Sequence, residues 1–171
     1  LDEVKKYFPA CTGIEKVSEV RYDVKNNGDV IGKLIVTTPI ADDLIGYSGN
    51  VPLFLAVSGE DVILGLTLLN HSESPGFIRQ ITRKNFFSSW DGKTLEEAAE
   101  MNVEAVSGAT MTTDAVRGSV KKALNFYFER DGGGRHTDWL KLVRHALGGL
   151  VVLLALASMF WGSRMKKWRL P

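Results

Sequence analysis

Cysteine is nearly absent from this chain of 171 residues: Cys11 stands alone. No intrachain disulfide can form, and no cysteine pair is available to a metal. Cys11 reads as a small packing residue. Histidine is scarce as well. His71 is far from His136 and His145, so neither a metal cluster nor a Ser-His-Asp constellation is legible. The chain has no P-loop lysine and no G-x-G-x-x-G turn. Residues 1–130 hold 14 Lys+Arg against 18 Asp+Glu, a net of −4, with no basic-aromatic stripe. That balance excludes a nucleic-acid surface on this part of the chain, because a polyanion needs a basic patch. Residues 131–171 hold 7 against 2, a net of +5. The chain is an acidic domain with a basic tail. There is no internal repeat, and the adjacent Asp42 and Asp43 read as loop solvation.

Hydrophobic patterning gives the elements. Glu3–Phe8 reads as a short helix ended by Pro9. Val17–Val24 and Val30–Thr38 read as strands about the turn Asn26-Asn27-Gly28-Asp29. Pro39–Gly49 reads as a loop. Val51–Val57 and Val62–Asn70 form a second hairpin about Ser58–Asp61. Their apolar runs are nearly continuous, which predicts a central hairpin covered on both faces. Pro75-Gly76 reads as a turn, followed by short helices at Ile78–Phe87 and Leu95–Met101. Val116, Val120, Ala123, Leu124 and Tyr127 then recur at helical spacing until Asp131-Gly132-Gly133-Gly134. The fold class is α+β, an antiparallel sheet with packed helices.

The chemistry concentrates in Ser107-Gly108-Ala109-Thr110-Met111-Thr112-Thr113, a hydroxyl-rich turn before that last helix. Thr112 or Thr113 suits the N-cap, with Asp114 in the first turn. Helix starts present unpaired N–H groups and a positive dipole end, a setting that favours phosphate. A hydroxyl there caps the helix, binds a phosphate or is esterified by one. Local chemistry leaves all three readings open. His71 and Glu73, two apart near the Pro75-Gly76 pair, read as a strand end whose side chains share a face. Phe77, Phe86, Phe87 and Trp90 read as core, with one of them stacking on a flat bound ring as the alternative.

Glu104-Ala105-Val106-Ser107-Gly108-Ala109-Thr110 resembles the flavinylation motif of the FMN-binding domain family. That family includes a subunit of the sodium-translocating NADH:quinone oxidoreductase, a subunit of the Rnf complex and the membrane-bound regulator of nitrous-oxide reduction. Its motif is Asp, two variable residues, then Ser/Thr-Gly-Ala-Thr; here Glu104 replaces the Asp. Gly46-Tyr47-Ser48-Gly49 with Val51–Val57, Ser58–Asp61, and Leu69–Phe77 resemble further family segments in order. Ile31-Gly32-Lys33 and Thr37-Thr38-Pro39 match the extension that precedes them, so the likeness covers residues 2–128. The resemblance implies FMN bound covalently, its phosphate esterified to Thr110 by a dedicated flavin transferase. Ser107, Gly108 and Ala109 would shape the turn, and the N–H groups of Met111, Thr112 and Thr113 would hold the phosphate. His71 and Glu73 would wall the flavin pocket. The function implied is that of an electron-carrier subunit rather than a stand-alone enzyme, among other membrane redox subunits, quinone-linked in some relatives. A flavin-based membrane sensor and a non-redox anchoring subunit are the alternatives.

The tail carries a membrane expectation. Ala146–Gly162 has no charge; as a helix it would rise about 25 Å, near the lower limit for a ~30 Å hydrocarbon core. Trp139, Trp161 and Trp168 sit at its ends, with Lys141, Arg144, Arg164, Lys166, Lys167 and Arg169 flanking it. The organisation expected is a β-hairpin extension over 1–45, an FMN-binding domain over 46–130, a linker over 131–138, a transmembrane helix over 139–163 and a basic tail over 164–171. The family places its flavin domain on the extracytoplasmic side of the cell membrane. Leu1 is not an initiator Met and no signal peptide is visible, so that side requires a leader or leading helix removed upstream, or a trimmed chain. A chain beginning naturally near Leu1 would instead be tail-anchored with its domain inside.

Overall fold

The computed structural model describes residues 1–131. The expected transmembrane helix and basic tail, and the linker beyond residue 131, lie outside the described residues. Within them, no helix is long and apolar enough to cross a membrane.

Five strands form one antiparallel meander in sequence order: β1 (Gly13–Lys16), β2 (Arg21–Asn26), β3 (Asp29–Val36), β4 (Leu53–Ser58) and β5 (Ile63–Leu68). The β2–β3 link is the two-residue loop Asn27-Gly28, with φ of 49° and 100°. Positive φ at both positions matches the strand twist, which is why Asn-Gly serves there. Region 1–45 is not separate from the rest of the sheet: β3 pairs with β4 from Gly32↔Ser58 to Val36↔Phe54.

Strand alternation sorts the core into two layers. Leu53, Leu55 and Val57 of β4 face one cluster with Ile35, Ile63, Ile81, Trp90, Val116, Val120 and Leu124. Phe54 and Ala56 face the other, with Val4, Phe8, Cys11, Val24 and Leu34. β4 is therefore apolar at successive positions because both its faces are covered. Its partner β5 departs from the expected central placement. It is an edge strand, and Leu64 is exposed. Residues 92–95 partly cap that edge, with Ile63 N–H donating to the Lys93 carbonyl at 2.8 Å and Gly92 N–H to the Ile63 carbonyl at 2.8 Å. β1 has no counterpart among the expected strands; only Gly13 is even partly buried in it, so no apolar pattern marks it. Residues 17–20 turn the chain between β1 and β2 instead of extending β2.

Helix α1 (Asp2–Lys5) belongs to the second layer. Helices α2 (Pro75–Arg83), α3 (Leu95–Glu100) and α4 (Thr110–Arg130), with a 3-10 helix at Phe86–Trp90, belong to the first. Pro75-Gly76 is not a turn: Pro75 opens α2 behind Ser74 in the N-cap position. Proline suits a first helical position because the N–H it lacks would have no helical partner there. Asn85, at φ 52°, ends α2 before the 3-10 helix. Thr94 and Glu97 close a reciprocal capping box at the start of α3.

Candidate functional site

The hydroxyl-rich motif folds as a tight turn running into α4. Ala109 N–H donates to the Val106 carbonyl at 2.9 Å, and Gly108 takes φ +83°. Gln80 of α2 donates through Nε2 to the Ser107 carbonyl at 2.6 Å. A Cβ at position 108 would lie 2.7 Å from that Nε2. Glycine is thus required there twice over, by backbone conformation and by the approach of α2.

Neither Thr112 nor Thr113 is the N-cap. α4 starts at Thr110, with Ala109 in the cap position and no side-chain cap. Both hydroxyls are buried and used elsewhere. Thr113 Oγ1 donates back to the carbonyls of Ala109 and Thr110, at 3.1 and 3.0 Å, and accepts from Val106 N–H at 3.3 Å. Thr112 Oγ1 donates to Glu73, at 3.1 Å. The Thr113 N–H already serves the Ala109 carbonyl at 3.0 Å. The helix-start donors lacking a helical acceptor are therefore those of Thr110, Met111 and Thr112 rather than 111–113. Thr110 is exposed at the first helical position, and its hydroxyl has no partner among the described residues. Met111 beside it is 58% exposed, and Ser107 and Gly108 are also exposed.

Glu73 is the organiser of this region. It is only 3% exposed, and it lies in the segment between β5 and α2 rather than on a strand end. Its Oε2 accepts from Tyr47 N–H at 2.8 Å and Thr112 Oγ1 at 3.1 Å. Its Oε1 accepts from Ser74 N–H at 2.7 Å and Ser48 N–H at 3.2 Å. Burial pushes this carboxyl up; the N–H groups of Ser74 and Tyr47, the Thr112 hydroxyl and the Ser48 N–H outweigh it, and the net shift is downward. The carboxylate thus ties the loop Gly46–Ser48, the start of α2 and the first turn of α4 into one unit. Gly46 makes room for it, since a Cβ there would fall 2.2 Å from Oε2. His71, half-buried, turns inward on the same segment, its Nδ1 accepting from Glu73 N–H at 3.1 Å.

Beside this unit lies apolar surface. Tyr47 is 63% exposed and meets Phe77 of α2 edge-on, ring centroids 4.8 Å apart. Because Glu73 joins Tyr47 N–H to Thr112, this aromatic pair flanks the first turn of α4. A free hydroxyl, helix-start donors and an exposed aromatic ring suit a ligand with a phosphate at one end and a flat apolar group at the other. Phe86 and Trp90 are buried in the core. Sequence reasoning does not single out Tyr47, Gln80 or Gly46 as site residues; the Gly46-Tyr47 pair in a loop ahead of an apolar strand is the available signal.

The model of the FMN-binding domain family matches residues 46–125. That segment holds Gly46, Tyr47, Glu73, Gln80 and the whole motif. Residues 46–125 belong to the FMN-binding domain family. The match begins at the loop that Glu73 holds and ends within α4, leaving β1–β3 outside it. Relatives agree. The subunit designated G in the Na(+)-translocating ferredoxin:NAD(+) oxidoreductase complex of Acetobacterium woodii is 30% identical over 128 residues, covering 67% of this chain and 59% of that protein. Its namesake in an ion-translocating oxidoreductase complex of Aliivibrio fischeri is 32% identical over 93 residues, covering 48% and 44%. The chain thus spans about half the length of these relatives. Among solved structures, NqrC of Shewanella oneidensis aligns with a TM-score of 0.41 at 18% identity, covering 70% of this chain and 72% of that one.

Proposed function

We propose that this chain is an electron-carrying flavoprotein subunit of a membrane ion-translocating oxidoreductase complex, with FMN held covalently through a phosphoester to Thr110. The observation that carries the reading is the exposed, unpartnered Thr110 hydroxyl at the first position of α4, inside the segment that matches the FMN-binding domain family. In forming the ester, Oγ1 gives up its proton and bonds to phosphorus while one phosphorus–oxygen bond of the flavin phosphate breaks and its oxygen leaves with the displaced group, so the chain gains one FMN less one water. The N–H groups of Thr110, Met111 and Thr112 lie where they can donate to the phosphate oxygens. Ser107, Gly108 and Ala109 shape the turn that exposes the hydroxyl. Glu73 acts through the Thr112 hydroxyl and the Tyr47 and Ser48 N–H groups: it sets the first turn of α4 against the Tyr47 loop, leaving the Tyr47 ring to pack on the isoalloxazine. His71 steadies that segment through its Nδ1, which accepts from the Glu73 N–H. The flavin supplies the redox chemistry, and the chain supplies its position and surroundings. Tethering keeps the effective concentration of the group high without a deep pocket, and so leaves the ring open to partners.

Partners under this reading are a flavin transferase and the other redox subunits of the complex, quinone-linked ones included. Segment 139–163 anchors the chain in the bilayer, with the flavin domain on the extracytoplasmic side. The test is flavin fluorescence of the denatured protein after co-expression with a flavin transferase. Wild type retains a fluorescent band and Thr110→Ala does not. A dark wild-type band, or a bright Thr110→Ala band, overturns the assignment.

A further inference from the structure

Residues 74–90 contain no Asp or Glu but hold Arg79, Arg83 and Lys84, in a domain that is otherwise acidic. All three are exposed on α2 and at its C-terminal end, and their side chains form no ion pair or hydrogen bond with any described residue. With Gly76 and Gln80 they line an open depression of about 410 Å³. Gln80 joins that depression to the flavin motif through its 2.6 Å bond to the Ser107 carbonyl. Ser107 precedes Thr110 by three residues, so at most ~11 Å of chain separates them.

We propose that this α2 face is the landing surface for an acidic redox partner that exchanges electrons with the flavin, an inference resting on the function proposed above. Three adjacent cations on an acidic body create a local positive field beside the exposed ring. Such a field raises the encounter rate of anions and lowers that of cations, and salt screens it. The patch is separate from the groups that hold the phosphate: none of the three cations belongs to the motif or bonds to it. An acidic protein face therefore docks on α2 with the flavin at its rim.

Two measurements on the full chain test this. The first needs no flavin: hexacyanocobaltate(III), a redox-inert trianion, is titrated into the protein while backbone amides are followed by NMR. Shifts at residues 76–84 that are lost in the Arg79→Glu/Arg83→Glu/Lys84→Glu variant, whether or not the free start of α4 over 110–112 also shifts, support the proposal. Shifts centred on other lysines overturn it. The second uses the flavinylated protein after reduction by dithionite. Two ferricyanide ions each take one electron from the two-electron-reduced flavin, whose two ring protons pass to solvent. The ferricyanide rate should fall about three- to tenfold in the charge-reversed variant at low salt. The rate with cationic hexaammineruthenium(III) should rise, and both differences should vanish near 1 M salt, where the screening length is ~3 Å. The neutral variant with glutamine at all three positions should fall between. Unchanged rates with both oxidants overturn the proposal, as does loss of flavin incorporation by intact mass, which would assign the cations to attachment. So does loss of binding to anionic phospholipid vesicles with ferricyanide kinetics unaltered, which would assign the face to a lipid surface. A wild type without flavin fails the proposed function instead and leaves the first measurement to decide the anion surface.

Discussion

Glu73→Ala removes a buried carboxylate that accepts four hydrogen bonds, from the N–H groups of Tyr47, Ser48 and Ser74 and from the Thr112 hydroxyl. Bonds to an ionised group each contribute about 1.5–3 kcal/mol. They are not additive, and water entering the vacated space would recover part of the loss. A net destabilisation of about 3–5 kcal/mol is expected, a large share of the ~5–15 kcal/mol that holds a domain together. Glu73→Gln keeps the shape and one oxygen. Its NH2 group must face donors, Tyr47 N–H among them, so a smaller loss of about 2–3 kcal/mol is expected. Urea unfolding of the full chain in detergent, followed by circular dichroism, reads both values. The pH dependence has a definite sign. The folded carboxyl titrates below its ordinary value near 4.5, so the unfolded state binds more protons in that range. The contribution of Glu73 is complete above the unfolded value and is lost as pH falls through the folded one. Glu73→Gln should flatten this acid limb of the stability curve. Losses under about 1 kcal/mol in both variants, with the acid limb unchanged, would refute the role assigned to this carboxylate.

The same geometry sets further outcomes. Gly46→Ala puts a methyl 2.2 Å from Glu73 Oε2; it should cost about 2 kcal/mol or more alone, and far less in the Glu73→Ala background, as a double-mutant cycle would read. Gly108→Ala meets both the +83° φ and Gln80; it should cost about 1–3 kcal/mol and lower the flavin incorporated per chain, measured by absorbance of washed, unfolded protein. Tyr47→Ala should leave incorporation intact but raise the flavin fluorescence of the folded protein, because the ring that packs on the isoalloxazine is gone; unchanged fluorescence would remove Tyr47 from the flavin's surroundings.

The parts of this fold legible in the sequence are those fixed by local pattern. The β2–β3 turn is marked by Asn27-Gly28, β4 by an apolar run covered on both sides, and the body of α4 by the spacing Val116, Val120, Ala123, Leu124, Tyr127, all of them buried. β1 is illegible because an edge strand with exposed side chains carries no apolar rhythm. The start of α2 reads as a turn from its Pro-Gly pair, although Ser74 before Pro75 is a helix-entry signal. The site divides in the same way. Ser107–Thr113 announces itself by composition, but which hydroxyl faces solvent is decided by distant groups. Thr112 is drawn inward by Glu73, 39 residues earlier in the chain, and Thr113 by its own turn. Glu73 itself bonds to backbone N–H groups 26 and 25 residues away. Backbone donors carry no side-chain signature, so no spacing rule exposes such a carboxylate.

The most direct test of the account is the mass of the intact chain after co-expression with a flavin transferase, followed by peptide mapping. Attachment at Thr110 gives one added FMN less one water, on the peptide that contains Thr110 and on that residue. An unmodified mass, or the same addition on another hydroxyl, would contradict it.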